Sequence, residues 1–254
     1  MNRLRFPEIL FLSLLIYIFF IIPPLTVPYD EGRVLFSRLS FPFQALISFL
    51  VFIVLYIFRK HIFKESYENT SKKKQPFAGV FCFLISFGSL LFISAILQLI
   101  SGKVSSGGSL EVLSPEGIEW VYLCLSFVFQ GFNEEVLYRF YLPESGNYFI
   151  RLIDKKRKKT VEAESQTETA QGTEQSASLS VDKKNVPVIF LISETVYALI
   201  FAFSHRYLGF FAVLNAFFAH CVLRWSFCKC RNIYVTSLAH IIYNFFSLLC
   251  FLYV

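Results

Sequence analysis

Glycine and proline are scarce in this chain, with 11 and 9 residues among 254, which argues against a loop-rich fold or a β-sandwich. The alternation of apolar and polar residues that transmembrane β-strands require is also missing. A disulfide framework is not indicated, because the six cysteines lie mostly inside apolar runs and are interpreted as small buried hydrophobes. Cys228 and Cys230 form a C-x-C pair, but the two further ligands of a tetrahedral metal site are not found nearby.

Apolar residues, in contrast, are abundant: 55% of the chain is hydrophobic, 32 residues are phenylalanine, and the mean hydropathy is +0.55. A soluble chain of this size could not bury so much apolar surface. The apolar segments run near the ~20 residues that cross about 30 Å of hydrocarbon at about 1.5 Å per residue. We therefore predict an all-α, polytopic membrane helical bundle with about seven transmembrane helices. The predicted spans are 8–29, 41–58, 77–100, 118–143, a stretch within 186–205, 208–228 and 233–254.

The net charge of +6 is concentrated in the loops beside these spans, which indicates membrane topology and contact with anionic lipid rather than a nucleic-acid partner. If the N-terminus is cytoplasmic, nearly all lysines and arginines fall on the cytoplasmic side. The outer side then keeps only Arg33, Arg38, Lys103 and Arg206. This asymmetry predicts a multi-pass protein of the cell membrane with a cytoplasmic N-terminus and an outer C-terminus.

The chain is divided at about residue 118 in this interpretation. Residues 1–117 would hold the first three transmembrane helices, and 118–254 would form the region that carries the chemistry. The second region is interrupted by 155–185, a stretch rich in Gln, Ser, Thr and Glu and almost free of large apolar groups. Such a stretch buries too little surface to offset its ordering entropy, so we expect a disordered cytoplasmic loop.

The fourth predicted span contains three ionisable residues, Glu134, Glu135 and Arg139. Each costs about 2.5–3.5 kcal/mol near the bilayer centre, and such residues are functional by default. A structural ion-pair cluster, or a helix that ends early at the interface, is the alternative. Glu135 and Arg139 are four apart and can pair on one helical face. Glu134 lies about 140° from Arg139, so it lacks an obvious partner in its own helix and becomes the candidate general base.

Two later motifs combine a histidine with a residue four positions away. Phe201-x-x-x-His205 closes the fifth span, and His240-x-x-x-Asn244 opens the seventh. Each motif presents one helical face. His220 lies mid-helix in the sixth span without a partner pattern, which favours a packing or hydrogen-bonding role. Its depth, about 12 Å from the cytoplasmic side, makes it the reserve candidate for the site.

The order Glu134-Glu135-x-x-x-Arg139, Phe201-x-x-x-His205, His240-x-x-x-Asn244 resembles the CAAX-protease and bacteriocin-processing (CPBP) family of intramembrane proteases, which includes the type II CAAX prenyl endopeptidases. The resemblance covers about residues 118–250. It implies an endopeptidase in which Glu134 activates a water and His205 helps to hold it. His240 and Asn244 would stabilise the oxyanion, while Glu135 and Arg139 shape the site. The implied substrate is a membrane-bound or prenylated peptide.

The resemblance leaves the cofactor open between a divalent metal such as zinc and none. One glutamate and two histidines match a zinc triad, so a metal would have Glu134, His205 and His240 as ligands. The chain departs from the family pattern in the polar insertion at 155–185 and in His220, which stands where the family often has glycine.

Depth in the bilayer raises a conflict for His205. At about 1.5 Å per residue, Glu134 lies about 13 Å and His240 about 10 Å from the cytoplasmic ends of their spans, but His205 lies about 28 Å from residue 186. Either 186–192 lie at the interface and the helix begins near Ser193, or His205 is no partner of the site. We prefer the first option, which predicts an irregular or re-entrant stretch from His205 to Gly209.

Two other functions remain open. A non-catalytic membrane scaffold or bacteriocin-immunity-type protein would keep the polar cluster for structure alone. A transporter or proton relay could use the same Glu and His residues, although the sequence shows neither an internal repeat nor a pair of helices broken by Gly or Pro.

Overall fold

The computed structural model describes residues 6–26, 46, 49–50, 53, 76–101, 117–153, 160 and 185–253. Within these ranges the regular structure is helical and contains no strand, which confirms the all-α prediction for this part of the chain. The predicted second span, 41–58, and the predicted loop, 155–185, lie outside the described residues except at isolated positions.

The described helices follow one another in a simple order. In chain order they are α1 (Phe6–Ile16), a π-helical turn (Tyr17–Ile21), α2 (Ile22–Thr26), α3 (Pro76–Ser101), α4 (Glu119–Glu134), a second π-helical turn (Glu135–Tyr141), α5 (142–153), α6 (Asn185–Phe203), a 3₁₀ turn (Arg206–Leu208), α7 (Phe210–Cys230) and α8 (Ile233–Tyr253). All six cysteines are free thiols.

Three segments in the described part are long and apolar enough to cross a membrane: Gly79–Ser101, Phe210–Cys230 and Ile233–Cys250. They coincide with the predicted third, sixth and seventh spans. Leu10–Thr26 and Val188–Phe203 are shorter apolar helices at the predicted first and fifth spans. Large apolar side chains on the outer faces, such as Leu99 and Leu191, remain 70% exposed, as expected for a protein whose surroundings are lipid. The count of seven spans stays a prediction.

α7 lies at the centre of the packed helices and contacts α3, α6 and α8. Small residues on its buried face, Ala216 and Ala219, allow neighbouring helices to approach closely. Leu223 is fully buried on the same helix. Asn215 donates a hydrogen bond from Nδ2 to the hydroxyl of Tyr243, 2.7 Å away, which ties α7 to α8 by a polar contact.

The second π-helical turn, which carries the predicted charged cluster, packs against α1. The hydroxyls of Ser13 and Tyr141 lie 2.8 Å apart in a buried hydrogen bond. Ile16, Ile21 and Leu137 belong to the same apolar cluster. The first helix therefore covers the turn from one side.

The structure corrects two predicted boundaries. The predicted fourth span, 118–143, is not one regular helix, because it changes to π-helical geometry at Glu135 and then continues as α5 to residue 153. α6 begins at Asn185, whereas the preferred prediction placed the start of this helix near Ser193. The irregular stretch predicted from His205 to Gly209 is confirmed: α6 ends at Phe203, and Gly209 has φ 94° and ψ 175°.

Candidate active site

The charged cluster sits at the junction where α4 becomes π-helical. Glu134 is the last residue of α4, and Glu135 begins the turn. A π-helical turn inserts one extra residue and re-aims the side chains around it, and such turns are frequent at functional sites. Gln130 donates a hydrogen bond from Nε2 to Glu134 Oε1 at 2.9 Å. Glu134 therefore has a partner in its own helix that the sequence analysis did not identify.

Glu135 and Arg139 form the buried ion pair that their spacing predicted. Arg139 Nε lies 3.4 Å from Glu135 Oε1, and both side chains are 0% exposed. The same carboxylate oxygen lies 3.0 Å from Nδ1 of His240 on α8. One carboxylate thus links the turn to a helix about a hundred residues later in the chain.

His240 bridges the two adjacent glutamates. Because a carboxylate only accepts, Nδ1 carries a proton and donates it to Glu135. The other ring nitrogen, Nε2, lies 3.8 Å from Glu134 Oε2. That separation exceeds a direct hydrogen bond. The side chains of His240 and Glu134 are 7% and 12% exposed, so this gap lies inside the protein and borders a titratable carboxylate.

A close approach of α4 and α8 makes this contact possible. A Cβ atom placed on Gly131 would lie 2.6 Å from Cγ1 of Ile241. Gly131 is one helical turn before Glu135, and Ile241 follows His240. The absence of a side chain at 131 therefore allows Glu135 and His240 to meet.

Phe201 connects His205 to the charged cluster. Arg139 Cζ lies 3.8 Å above the Phe201 ring, in cation–π geometry, and the His205 ring centroid lies 4.6 Å from that of Phe201. His205 is half-buried, and its Nδ1 lies 3.0 Å from the carbonyl oxygen of Phe201, which only accepts. Nδ1 therefore carries the proton, and Nε2 is left as the second polar atom of the ring.

His205 lies close to the charged cluster in the folded chain. α6 ends at Phe203, two residues before His205. His205 lies one aromatic ring away from Arg139.

The other two predicted site residues occupy different surroundings. Asn244 is half-buried one helical turn beyond His240, about 6 Å along α8. His220 is 1% exposed, and its ring centroid lies 5.6 Å from that of Phe201. Within the part of the chain that the structure describes, neither ring nitrogen of His220 has a hydrogen-bond partner. His220 therefore lies beside the cluster, next to the Phe201 ring.

Comparison with known protein families identifies the family of the region that carries these residues. The family model described as Type II CAAX prenyl endopeptidase Rce1-like matches residues 116–246, which is more than half of the chain. The chain belongs to this family. The resemblance drawn from the three motifs is thereby confirmed. No curated protein and no solved structure matches the chain significantly.

The sequence analysis left open whether this Rce1-like chain binds a metal through Glu134, His205 and His240. The arrangement of these side chains bears on that question. Among the described residues, no group of three or more His, Cys, Asp and Glu side chains is arranged to hold a metal ion. Glu134, His205 and His240 are all described, so the candidate zinc triad is not assembled. Each histidine donates its Nδ1–H, to Phe201 O and to Glu135, which leaves Nε2 as the nitrogen that a metal would use. The metal stays a prediction, and we derive no step through one.

The sequence analysis missed a second polar network in this Rce1-like chain, between α6, α7 and the π-helical turn. Arg224 on α7 donates from Nε and Nη2 to the two carboxylate oxygens of Glu194 on α6, at 2.9 and 2.7 Å. Its Nη1 donates to the backbone carbonyl oxygen of Arg139 at 2.7 Å. Both residues are ionisable groups within predicted apolar spans, and that signal could have identified them. It was applied only to the fourth span.

Proposed function

We propose that this chain is an intramembrane endopeptidase in which Glu134 activates a water to hydrolyse a peptide bond. The observation that supports this most strongly is the 3.8 Å gap between Glu134 Oε2 and His240 Nε2 in a largely buried site. Gln130 restrains one oxygen of the carboxylate, and the other oxygen faces the gap. A carboxylate within hydrogen-bond reach of a water can act as its general base.

The proposed reaction needs only a water molecule, the substrate and side chains of this chain. Glu134 takes a proton from the water as the water oxygen attacks the carbonyl carbon, and His205 helps to hold that water. The carbonyl oxygen becomes an oxyanion, which His240 and Asn244 stabilise by hydrogen bonds. The C–N bond then breaks, and Glu134 returns the proton to the leaving amine.

His240 can donate to the oxyanion only if Nε2 also carries a proton, because Nδ1 is committed to Glu135. We propose that the ring acts as an imidazolium held by Glu135. The Glu135–Arg139 pair would then have an orienting role, since it fixes the ring without contacting the substrate.

The proposed substrates are membrane-associated or lipid-modified peptides. The family name specifies a prenyl endopeptidase, so prenylated peptides are the first class to test. The asymmetry of Lys and Arg across the loops supports a cytoplasmic N-terminus and entry of the substrate from the cytoplasmic side.

The test uses the full chain in lipid nanodiscs with matched farnesylated and unmodified peptides. We expect Glu134→Gln to lower kcat by about 10²–10⁴-fold, the contribution usual for a general base. His240→Ala should also abolish cleavage. Glu119→Gln, in the first turn of the same helix, is the matched control and should cleave like the parent.

The proposal fails if Glu134→Gln and His240→Ala cleave as well as the parent. The buried Glu135–Arg139–His240 cluster also suits the alternative of a non-catalytic scaffold or immunity-type protein. In that case Glu135→Ala would abolish folding, while Glu134→Ala would leave every phenotype intact.

A further inference from the structure

Pro143 interrupts the backbone hydrogen bonding directly after the π-helical turn. In an α-helix, the N–H of residue i bonds to the carbonyl of residue i−4, so the donor for the Arg139 carbonyl would be residue 143. Proline has no N–H, and its ring also crowds the carbonyl four residues earlier. Leu142 already uses the wider spacing, with its N–H bonded to the Leu137 carbonyl. From Leu142 onward the chain is α-helical, and in that geometry the regular donor for the Arg139 carbonyl is position 143, which has no N–H.

Arg224 supplies a donor to that carbonyl from another helix. Its Nη1 lies 2.7 Å from Arg139 O, in a bond classed as buried, and its side chain is 9% exposed. Inside a membrane protein a backbone carbonyl cannot turn to water, so a proline is tolerated where a neighbouring helix satisfies the freed group. The contact replaces, from α7, the bond that Pro143 removes.

Glu194 holds the guanidinium in the orientation that this contact needs. It receives two parallel hydrogen bonds, at 2.9 and 2.7 Å. The planar fork of arginine matches a carboxylate at two points and leaves its third nitrogen in a defined direction. Lysine carries the same charge but lacks this fork.

We infer that Arg224 is a positioning residue that replaces the donor missing at Pro143 and thereby fixes the π-helical turn of the active site. Its backbone target belongs to Arg139, whose side chain pairs with Glu135, and Glu135 in turn orients His240. A shift of the carbonyl moves this chain of contacts together. The inference rests on the proposed endopeptidase function for its kinetic consequence, although not for its structural one.

The first experiment compares Arg224→Lys with Arg231→Lys in nanodiscs. Arg231 controls for the ion pair that the two arginines share, because its Nη1 lies 3.1 Å from Glu144 Oε1, the oxygen that also lies 3.9 Å from Arg224 Nη1. We expect Arg224→Lys to lower kcat by 10-fold to about 10²-fold with KM changed less than about twofold, because small misplacements of catalytic groups act on kcat. Arg231→Lys should match the parent. Equal kcat for Arg224→Lys and the parent would overturn the inference.

A double-mutant cycle with Pro143→Ala tests the cause. Alanine restores an N–H at position 143. The fold-decrease in kcat caused by Arg224→Lys should therefore be at least threefold smaller in the Pro143→Ala background. If the fold-decreases in kcat of the two single variants simply multiply in the double variant, the carbonyl contact is not what Arg224 contributes. Glu194→Gln retains an acceptor oxygen and should lower kcat less than Arg224→Lys does. A Glu194→Gln loss as large as that of Arg224→Lys, with no rescue by Pro143→Ala, would make the ion pair itself the cause.

Hydrogen exchange of the same variants provides a readout that does not need activity. Arg224→Lys should speed deuterium uptake in peptides covering 135–142, and less so in the Pro143→Ala background. Arg231→Lys should leave this uptake unchanged. If no Glu134-dependent cleavage is found, the proposed function fails and exchange alone decides this inference. Unchanged uptake in Arg224→Lys would then overturn it.

Discussion

Replacing Glu135 by glutamine should lower the stability of the protein, whereas the same replacement at Glu134 should leave its stability nearly unchanged. Glu135→Gln removes the charge that faces Arg139 at 3.4 Å, and both side chains are fully buried. Breaking such a pair leaves an uncompensated buried cation, which typically costs about 3–5 kcal/mol. Glu134→Gln keeps an amide oxygen that can still accept from Gln130. We expect its free energy of unfolding to stay within about 1 kcal/mol of the parent.

The measurement is thermal unfolding in nanodiscs, followed by circular dichroism, together with single-turnover cleavage. At about 2–4 °C per kcal/mol for a chain of this size, Glu135→Gln should lower Tm by roughly 6–20 °C. Glu134→Gln should unfold close to the parent temperature while losing cleavage. Glu119→Gln controls for the loss of one carboxylate. A Glu135→Gln protein as stable as the parent, or a Glu134→Gln protein that unfolds early, would refute the division of roles.

Three further outcomes follow from the structure. Gly131→Ala should destabilise the protein by about 1–3 kcal/mol through overpacking, since its Cβ would lie 2.6 Å from Ile241 Cγ1. Ile241→Ala should relieve much of that loss, and Gly88→Ala, where no atom lies within 4 Å of the added Cβ, should be neutral in thermal unfolding. Gly209→Ala should cost about 1–3 kcal/mol, because φ 94° with ψ 175° is accessible mainly to glycine; an unchanged Tm would contradict this. The proposed reaction uses only groups of this chain, so cleavage should survive dialysis against a chelator; activity restored only by added zinc would show that a metal takes part.

Residues within one helical turn of each other could be assigned from spacing alone. Glu135 and Arg139 pair because the α-helix places residues four apart on one face, and they still pair where the helix becomes π-helical. The irregular stretch before Gly209 was predicted correctly, although the helix start near Ser193 on which that prediction rested is wrong. The helical class followed from the length and hydropathy of the apolar runs.

Contacts between helices could not be assigned in this way. Glu194 and Arg224 are 30 residues apart, and the bond from Arg224 to the Arg139 carbonyl spans 85 residues. Neither distance is set by a helical period, and both depend on how α6 and α7 pack beside the turn. The start of α6 was wrong for the same reason, since the relative height of two helices is a property of their packing.

The sequence by itself thus determined the helical class, the three motifs and the pairing of Glu135 with Arg139. Only the tertiary structure decided what surrounds Glu134. It placed His240 between the two glutamates and brought His205 to the cluster through Phe201. The physical reason is range: backbone periodicity orders side chains within a few residues, while partners on other helices are chosen by packing, such as the close approach that Gly131 allows.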